Sequence, residues 1–539
     1  MKNFKSILCL ILALVMVMAL AACGEKQAEE SKPAEESKPA ESKPAEGGEE
    51  NDDPYAEAVT LKWILYAPNV QQGQAEVEEE LKRIVKEEIN VDLECHWVPA
   101  SDYYTQMGTI VTAGDWDIGT VNGAIFNANV ARNAFLDLTP YLEAGALPTA
   151  SAEIPAEALR GGMFDGKIYA ITPTKDLGSV YNNIINREMM EEIGIPIPEE
   201  RPTRRSLYGW MEEVNAKFRE DPANADAHPL FSINTNMFNN YFYDTIISGH
   251  SSMGALVCTN VEGLTEWGIG DKNDTTTVMC SAFTPEFEEW IYERYDQTAS
   301  GVAYGYPAQD SDPKWFNNGD MMMSGNQGLI ELDENTYMDS GNFHVDLYNC
   351  TEGLIYTGYL HAGMYAINAN CEHPDRAVAL TELRYSSEEM HNLIAFGIEG
   401  KDWEDADNDG VIEFLERNSD SKSRYWYNWY PCWVTGVLVG KATQGSTPQF
   451  IEKMREQNNT MSVSQNVGFT VDQTNIQNEV AALTNVCQEY KDRWMYPITI
   501  GSRDAIAGEI QAFRDKLIAN GLEKVLTEVQ AQLDAFHGK

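Results

Sequence analysis

The sequence predicts an α/β protein of two lobes, and three observations point to it. A chain of 539 residues is too long for one hydrophobic core, so two lobes or domains of ordinary size are expected. Between residues 59 and 121, strand-like and helix-like segments alternate, which is typical of a parallel sheet with right-handed crossovers. The stretch Phe164–Ile195 contains a strand that stops at a proline and then resumes.

That stretch combines strand and helix signals. Lys167–Ile171 is rich in β-branched and aromatic residues, Pro173 removes a ladder donor, and Gly178–Tyr181 resumes extended structure. A helix follows, and Gly194 is placed to end it. The pattern fits a crossover between two lobes. It also fits an ordinary strand, loop and helix inside one domain, which the local pattern alone favours.

The first ordered segments define one edge of the predicted sheet. Leu61–Tyr66 is strand-like, and apolar residues then recur on one helical face at Val77, Leu81, Ile84, Val85 and Ile89. Further strands are predicted at 91–97 and 117–121, with a helix between them. Because ligands of parallel sheets bind beyond the carboxyl ends of the strands, Tyr66 and Asn122 become candidate ligand contacts. Later elements are helices at 210–218, 374–385, 504–519 and 522–536, and a strand at 363–369.

The charge balance excludes some classes of partner. There are 84 Asp and Glu against 39 Lys and Arg, which gives a net charge of −45. So much negative charge argues against nucleic acid or an anionic membrane surface as a partner. The nine cysteines are widely spaced and form no C-x-x-C pair, so neither a zinc site nor a thioredoxin-type motif is indicated. Most of them are expected to be small buried hydrophobic residues.

The amino terminus has the pattern of a targeting segment. Two lysines precede the apolar run Ile7–Leu20, which is short for a membrane span and suits a signal-peptide core. The run ends in Leu20–Gly24, which resembles a bacterial lipoprotein box with Cys23 as the lipidated residue; the alternative is an ordinary secretory signal cut near Ala22. We therefore assign 1–23 to a lipoprotein signal peptide. Residues 24–54, rich in Pro, Glu and Lys, are predicted to be a disordered tether.

Several stretches follow in order over nearly the whole mature chain, none of them specific alone. They are Phe135–Tyr141, Asp165–Ile171 with Tyr181–Asn183, His373–Ala377 leading into Phe396–Lys401, Gly468–Asp472 and Leu522–Phe536. Together with the lipobox they resemble the extracellular solute-binding proteins of ABC importers, in particular the LplA-like sugar-binding lipoproteins with a DUF3502-type C-terminal region. Arg201–Trp210 departs from the usual helix start of these proteins, which affects the ligand contacts expected there.

The resemblance implies a periplasmic-binding-protein-like fold, with two lobes joined by crossover hinge strands around a cleft. The crossovers would lie near Thr172–Ser179 and Asp346–Glu352. Lobe 1 would comprise 55–173 and 348–370, and lobe 2 would comprise 174–347. Residues 371–539 would form the remainder of lobe 2 and C-terminal helices that pack partly on both lobes.

The same resemblance implies a function. The chain would be a lipid-anchored receptor on the extracellular face of the cell membrane of a Gram-positive bacterium. It would capture a sugar or oligosaccharide by lobe closure and deliver it to ABC permease subunits. A monomer is expected, with no nucleic-acid partner, no required cofactor and no membrane contact except the lipid anchor. Two alternatives stay open: a secreted carbohydrate-active enzyme, and a peptide or signal receptor on the same fold.

The densest aromatic run is Tyr425–Trp433, with Asn428 at its centre. Sugar rings stack their apolar faces on aromatic rings while a few polar groups meet the hydroxyls, so this run could bind a sugar or could be a packing segment. Strand alternation would send Trp426 and Asn428 to one side and Trp429 to the other, so at most one set faces a cleft. The candidate ligand contacts are Trp426, Asn428 and Trp429, with Tyr66, Asn122, Trp116, Tyr241 and Trp315 as weaker candidates.

Residues Asp405–Glu416 match the EF-hand loop pattern. Carboxylates stand at Asp405, Asp407 and Asp409, Gly410 follows, and Glu416 closes the loop; Val411 would contribute its carbonyl. No convincing helix precedes the loop, so the alternative is an acidic hairpin turn before a strand. Calcium, if bound, would be structural.

No catalytic motif is found in the sequence. G-x-S-x-G, H-E-x-x-H and the phosphate loop G-x-x-x-x-G-K-[ST] are all absent. The expectation is therefore a binding protein that performs no chemistry, although paired carboxylates for glycoside hydrolysis leave no signature in sequence.

Overall fold

A computed structural model describes residues 54–67, 71–178, 181–196, 204–227, 230–232, 243–250, 254–260, 275–304, 323–327, 345–349, 353–415, 424–425, 431–442 and 449–539. The strands, numbered along the chain, are β1 (Val59–Ala67), β2 (Val91–Pro99), β3 (Ile118–Val121), β4 (Met163–Phe164), β5 (Lys167–Ile168), β6 (Ala170–Ile171), β7 (Tyr181–Asn186), β8 (Phe231–Ser232), β9 (Tyr243–His250), β10 (Gly254–Asn260), β11 (Ala303–Tyr304), β12 (Met323–Gln327), β13 (Val345–Asn349), β14 (Leu354–Ile355), β15 (Met364–Ile367), β16 (Trp403–Glu404), β17 (Glu413–Phe414) and β18 (Ser462–Val463). The α-helices are Gln74–Ile89, Tyr103–Ala113, Gly123–Asn129, Thr139–Glu143, Pro148–Glu153, Ala156–Leu159, Arg187–Ile193, Arg204–Phe218, Pro285–Ala299, Thr357–Leu360, Pro374–Ser386, Glu388–Phe396, Phe450–Thr460, Gln477–Met495, Ile506–Ala519 and Leu522–Phe536.

The first sheet has the strand order β2–β1–β3–β15–β6. β1 pairs in parallel with all of β2 and, at Trp63 and Ile118, with β3, as the alternation of strand and helix predicts. β15 is antiparallel to both β3 and β6. The segment 167–171, predicted as one strand, is split at Tyr169: β5 pairs with β4 in a small hairpin, and only β6 joins the first sheet.

Helices from both the first and the second half of the sequence cover this sheet. The helix Gln74–Ile89 buries the predicted apolar face, and the helices Pro374–Ser386 and Glu388–Phe396 contribute residues such as Leu380 and Ile394 to the same core. Residues 371–539 are predicted to be the remainder of lobe 2 and helices that pack partly on both lobes; within that range, the helices at 374–396 pack on the first sheet. These two helices follow β15, which returns the chain to the first sheet.

The second sheet is built from residues 181–349. Its strand order is β11–β8–β12–β7–β13, and β7 lies between the antiparallel strands β12 and β13. The chain thus leaves the first sheet after Ile171 and returns to it only at Met364. This arrangement agrees with the predicted fold class of two α/β lobes linked by crossovers.

A third core contains the C-terminal helices. The hairpin β9–β10 packs with the helices Pro285–Ala299, Gln477–Met495, Ile506–Ala519 and Leu522–Phe536. In the last helix, the predicted apolar stripe is buried at Leu522, Val525, Val529 and Leu533.

Three chain segments run side by side at the first core, to which Leu177, Ile355 and Met461 belong: 172–178, 353–356 and 461–464. β14 pairs in parallel with β18, at Leu354 with Ser462 and at Ile355 with Val463. A Cβ added at Gly178 would lie 2.7 Å from the Leu354 carbonyl oxygen and would overlap Met461, so the three segments meet at this glycine. We call them the crossover segments.

Buried side chains fix the crossover segments to their neighbours. Asn458 accepts a hydrogen bond from the Leu177 amide at 2.8 Å and donates to the Lys175 carbonyl at 2.6 Å. Asn466 donates to the Asp244 carboxylate at 3.1 Å, and Ser464 donates to the same carboxylate. Burial raises the pKa of Asp244 to about 6, although both donors act in the opposite direction. The crossover segments are therefore held by polar contacts as well as by packing.

Replacing Gly178 with alanine tests the close approach of the crossover segments. We expect Gly178→Ala to lower the free energy of unfolding by ~1–3 kcal/mol, since the new methyl group would meet the Leu354 backbone carbonyl as well as the Met461 side chain. Urea denaturation measures the change. Gly508→Ala, at a helical glycine with open space around it, is the control and should be neutral or stabilising. Equal stability of wild type and Gly178→Ala would contradict the packing described.

Candidate ligand-binding site

Aromatic side chains gather at the carboxyl edge of the first sheet. Tyr66 lies near the end of β1, and its ring centroid is 4.8 Å from that of Tyr103, 6.0 Å from that of Tyr104 and 6.1 Å from that of Trp433. We call these four residues the aromatic cluster. Tyr66 and Tyr103 are buried, whereas Tyr104 and Trp433 are partly exposed. The last two therefore offer ring surface to a ligand, and the first two support them.

Hydrogen bonds hold the tyrosines of the cluster in place. The Tyr103 hydroxyl donates to the Ile64 carbonyl at 3.2 Å and accepts from the Thr120 amide at 3.0 Å. Burial raises the pKa of Tyr103 to about 12, so this phenol stays neutral. The Tyr104 hydroxyl donates to the Ala362 carbonyl at 3.0 Å. The cluster is thus tied to β1, to β3 and to the turn before β15.

Charged groups of the first crossover segment act on Cys432, the residue before Trp433. Lys175 places its ammonium 4.1 Å from the ring centroid of Tyr359 and donates to the Asp176 carbonyl at 2.8 Å. The Tyr359 hydroxyl donates to the Asp176 carboxylate, which is partly exposed. Burial raises the pKa of the neighbouring Cys432 thiol to about 12, and both Lys175 and Asp176 influence that pKa, in opposite directions. The partly exposed Asp176 carboxylate therefore lies near the residue that precedes Trp433 in the chain.

The predicted ligand contacts divide into three groups. Tyr66 and Asn122 both lie at the carboxyl edge, but the ring of Tyr66 is only 7 % exposed, and Asn122 caps the helix Gly123–Asn129 by accepting from the Ile125 amide at 3.1 Å. Trp116 lies at the opposite end of β3 and is 3 % exposed, with its ring packed on Phe135. The structure does not bring Trp116 to the carboxyl edge; its position is that of a core residue. Tyr241, Trp315, Trp426, Asn428 and Trp429 lie outside the described residues.

The described residues flanking 426–430 are firmly anchored. Arg424 forms a bidentate ion pair with the buried Asp402, at 2.8 and 3.0 Å, and a further pair with Glu76 at 2.8 Å. Tyr425 and Cys432 are buried. Of the aromatic run, Trp433 is the described member that contributes a partly exposed ring to the edge. The sequence feature that could have pointed to Trp433 is its place in the aromatic run. For Tyr104, the only such feature is its position just after β2.

The acidic loop is a hairpin turn rather than an EF-hand. β16 and β17 pair antiparallel on either side of it, which is the hairpin alternative. Even so, the carboxylates of Asp405, Asp407 and Asp409 offer oxygens within 4.8 Å of one another. Lys441 donates to Asp405 at 2.8 Å and lowers the pKa of that carboxyl. Val411 bridges to Ala442, and Glu416 lies outside the described residues. Three of the five predicted ligands therefore converge.

Comparison with known proteins identifies the fold. The N-glycan transport solute binding protein NgtS from Streptococcus pneumoniae superposes with a TM-score of 0.69 at 20 % identity, over 89 % of this chain and 99 % of NgtS. Its complex with Man5GlcNAc gives 0.64 at 20 % identity, over 89 % and 98 %. The chain has the solute-binding-protein fold. An extracellular solute-binding protein from Bifidobacterium longum subsp. infantis gives 0.52 at 15 % identity, over 88 % and 98 %.

Sequence comparison agrees with this solute-binding-protein fold. Residues 465–538 match the domain of unknown function DUF3502, which confirms the resemblance of the C-terminal region. A "carbohydrate ABC transporter substrate-binding protein" from Streptococcus pneumoniae serotype 4 is 22 % identical over 467 residues, which is 84 % of this chain and 86 % of the relative. Within the described residues, no helix is both long and apolar enough to span a bilayer.

Proposed function

We propose that this chain captures an oligosaccharide outside the cell and delivers it to the permease of an ABC importer. A lipid on Cys23 would anchor it to the extracellular face of the membrane, and residues 24–54 would act as a tether. The observation that carries the proposal is the aromatic cluster, with two partly exposed rings at the carboxyl edge of the first sheet. A matching relative carries the name of a carbohydrate substrate-binding protein, and NgtS has been solved with Man1GlcNAc and Man5GlcNAc.

The physical basis of the proposal is the pairing of ring faces with polar groups. A sugar ring can lay its C–H face on Trp433 or Tyr104 while its hydroxyls bond to groups such as the Asp176 carboxylate. The crossover segments allow the two lobes to move, and a ligand that contacts both lobes binds the closed form better. Its differential affinity then shifts the population toward that form, which the permease would recognise.

Replacing Trp433 tests this function directly. We expect Man5GlcNAc or Man1GlcNAc to raise the melting temperature of the wild type. Calorimetry should show that Trp433→Ala weakens binding at least about tenfold, since a stacking contribution of ~1.4 kcal/mol to the binding free energy is lost. Phe283→Ala is the matched control, because this 40 % exposed aromatic lies against Arg514 of the helix Ile506–Ala519 and is not part of the aromatic cluster.

Two outcomes would count against a binding protein for sugars. If no glycan in a broad plant and microbial panel raised the melting temperature, the proposal of a carbohydrate ligand would be wrong. If reducing ends accumulated during long incubation with a bound glycan, the chain would be a carbohydrate-active enzyme. Unchanged affinity in Trp433→Ala, with binding intact, would move the ligand away from the aromatic cluster.

The acidic loop supports a second, structural proposal: a calcium site at Asp405, Asp407 and Asp409, completed by the Val411 carbonyl and Glu416. Oxygen ligands at these spacings suit calcium, and the convergence of three carboxylates fits such an ion. The ion would tie the hairpin β16–β17 together and would compete with Lys441 for Asp405. No role in ligand capture follows from it.

Calcium titration checks this site. We expect millimolar calcium to raise the melting temperature of the wild type, with a dissociation constant of about 10⁻⁴–10⁻³ M. Asp407→Asn should abolish the shift and Lys441→Gln should strengthen binding, since the competing ammonium is removed. Asp504→Asn, an exposed acid elsewhere, is the control. Equal shifts in the wild type and Asp407→Asn would refute the assignment.

A further inference from the structure

Three consecutive carbonyls around Trp433 each accept a hydrogen bond from a different side chain. The Cys432 carbonyl accepts from the Tyr365 hydroxyl at 2.6 Å. The Trp433 carbonyl accepts from the Thr120 hydroxyl, and the Val434 carbonyl accepts from Arg384 Nε at 2.7 Å. The backbone of the site residue is thus held on both sides and at its own position.

The three donors form one unit in the core. Tyr365 of β15 stands opposite Thr120 of β3 in the antiparallel pair, so their side chains share one face of the sheet. The Arg384 guanidinium stacks 3.4 Å from the Tyr365 ring centroid, and its Nη2 lies 3.5 Å from the Thr120 hydroxyl. All three side chains are buried, with at most 1 % of their surface exposed.

Burying Arg384 at this position is unfavourable for the stability of the fold. It is fully buried, and among the described residues no carboxylate pairs with it; its Nη1 also finds no hydrogen-bond partner there. A buried cation without a counter-ion costs stability. The bonds that it does make tie the Trp433 segment to the helix Pro374–Ser386, because Gly436 also donates back to the Arg384 carbonyl at 2.7 Å.

The same restraint determines where the indole lies. The Trp433 ring packs directly on the backbone of Gly363, where a Cβ would overlap the ring. Tyr66 lies beside the ring, with 6.1 Å between the centroids and 48° between the two planes. With its backbone bonded at three carbonyls and its ring seated on a glycine, Trp433 has little freedom left to lose on binding.

We infer that Tyr365, Thr120 and Arg384 are positioning residues, which preset the indole of Trp433 for stacking on a sugar ring. The inference rests on the proposed function for its ligand. Presetting an aromatic surface lowers the ordering cost of binding, so the three residues would set affinity without touching the ligand.

Near-isosteric substitutions separate positioning from simple core stability. We expect Thr120→Val and Tyr365→Phe each to weaken glycan binding about fivefold, since each leaves one carbonyl of the segment without its donor. Thr120→Ser keeps the hydroxyl and should restore near-wild-type affinity. In a Trp433→Ala background, each of the two substitutions should weaken glycan binding by less than about twofold, because the side chain that they position is gone. An undiminished loss in that background would overturn the inference.

A second measurement needs no ligand. Oxidative footprinting read by mass spectrometry should show faster labelling of Trp433 in Thr120→Val and Tyr365→Phe, while the buried Trp290 and Trp494 keep their rates. Tyr385→Phe is the matched control, because it removes a 2.6 Å bond to the Thr172 carbonyl instead. Unchanged labelling of Trp433 in the two variants, or an equal rise in Tyr385→Phe, would overturn the positioning role. If no glycan binds the wild type or any variant, the proposed function is wrong. Footprinting alone then decides whether the three donors hold Trp433 in place.

Discussion

The close packing of backbone at Gly178 is the constraint on which the rest of the molecule depends. Three chain segments meet there: Gly178 itself, the carbonyl of Leu354 and the side chain of Met461. Two of these segments, 172–178 and 353–356, carry the chain between two sheets that are otherwise built from separate stretches of chain, and 461–464 pairs with the second of them. Because the segments are few and tightly packed, any movement between the sheets must be taken up by rotation in these segments, as in hinged domain closure. Asn458 and the buried Asp244–Asn466 pair hold these segments to their neighbours by hydrogen bonds.

The candidate site uses this arrangement. Lys175 and Asp176 belong to the first crossover segment, and the aromatic cluster belongs to the edge of the first sheet. Cys432, which precedes Trp433, is close enough to Lys175 and Asp176 for both to act on its pKa. The affinity of a ligand that stacks on Trp433 and bonds to Asp176 would depend directly on the position of the first crossover segment. This gives a physical route from ligand contact to the balance of open and closed forms.

How much of this was predictable depends on whether the determining contacts are local. The helix Gln74–Ile89, the parallel strands β1 and β2 and the stripe of the last helix follow from periodicity, and the structure has them. The place of the helices at 374–396 did not follow, because it depends on β15 pairing with β3 far away in the chain. The site shows the same limit. Trp116 is among the predicted contacts and Trp433 is not, yet Trp116 packs on Phe135 and Trp433 is held at the edge by Thr120, 313 residues away.

The most direct test of a two-lobed receptor is its change of shape on binding. Small-angle X-ray scattering of the full mature chain, with and without a saturating amount of a glycan whose binding calorimetry has established, measures that change. We expect a smaller radius of gyration and a shorter maximum dimension in the complex, since the lobes close around the ligand. A calorimetrically saturated protein with an unchanged scattering curve would contradict it.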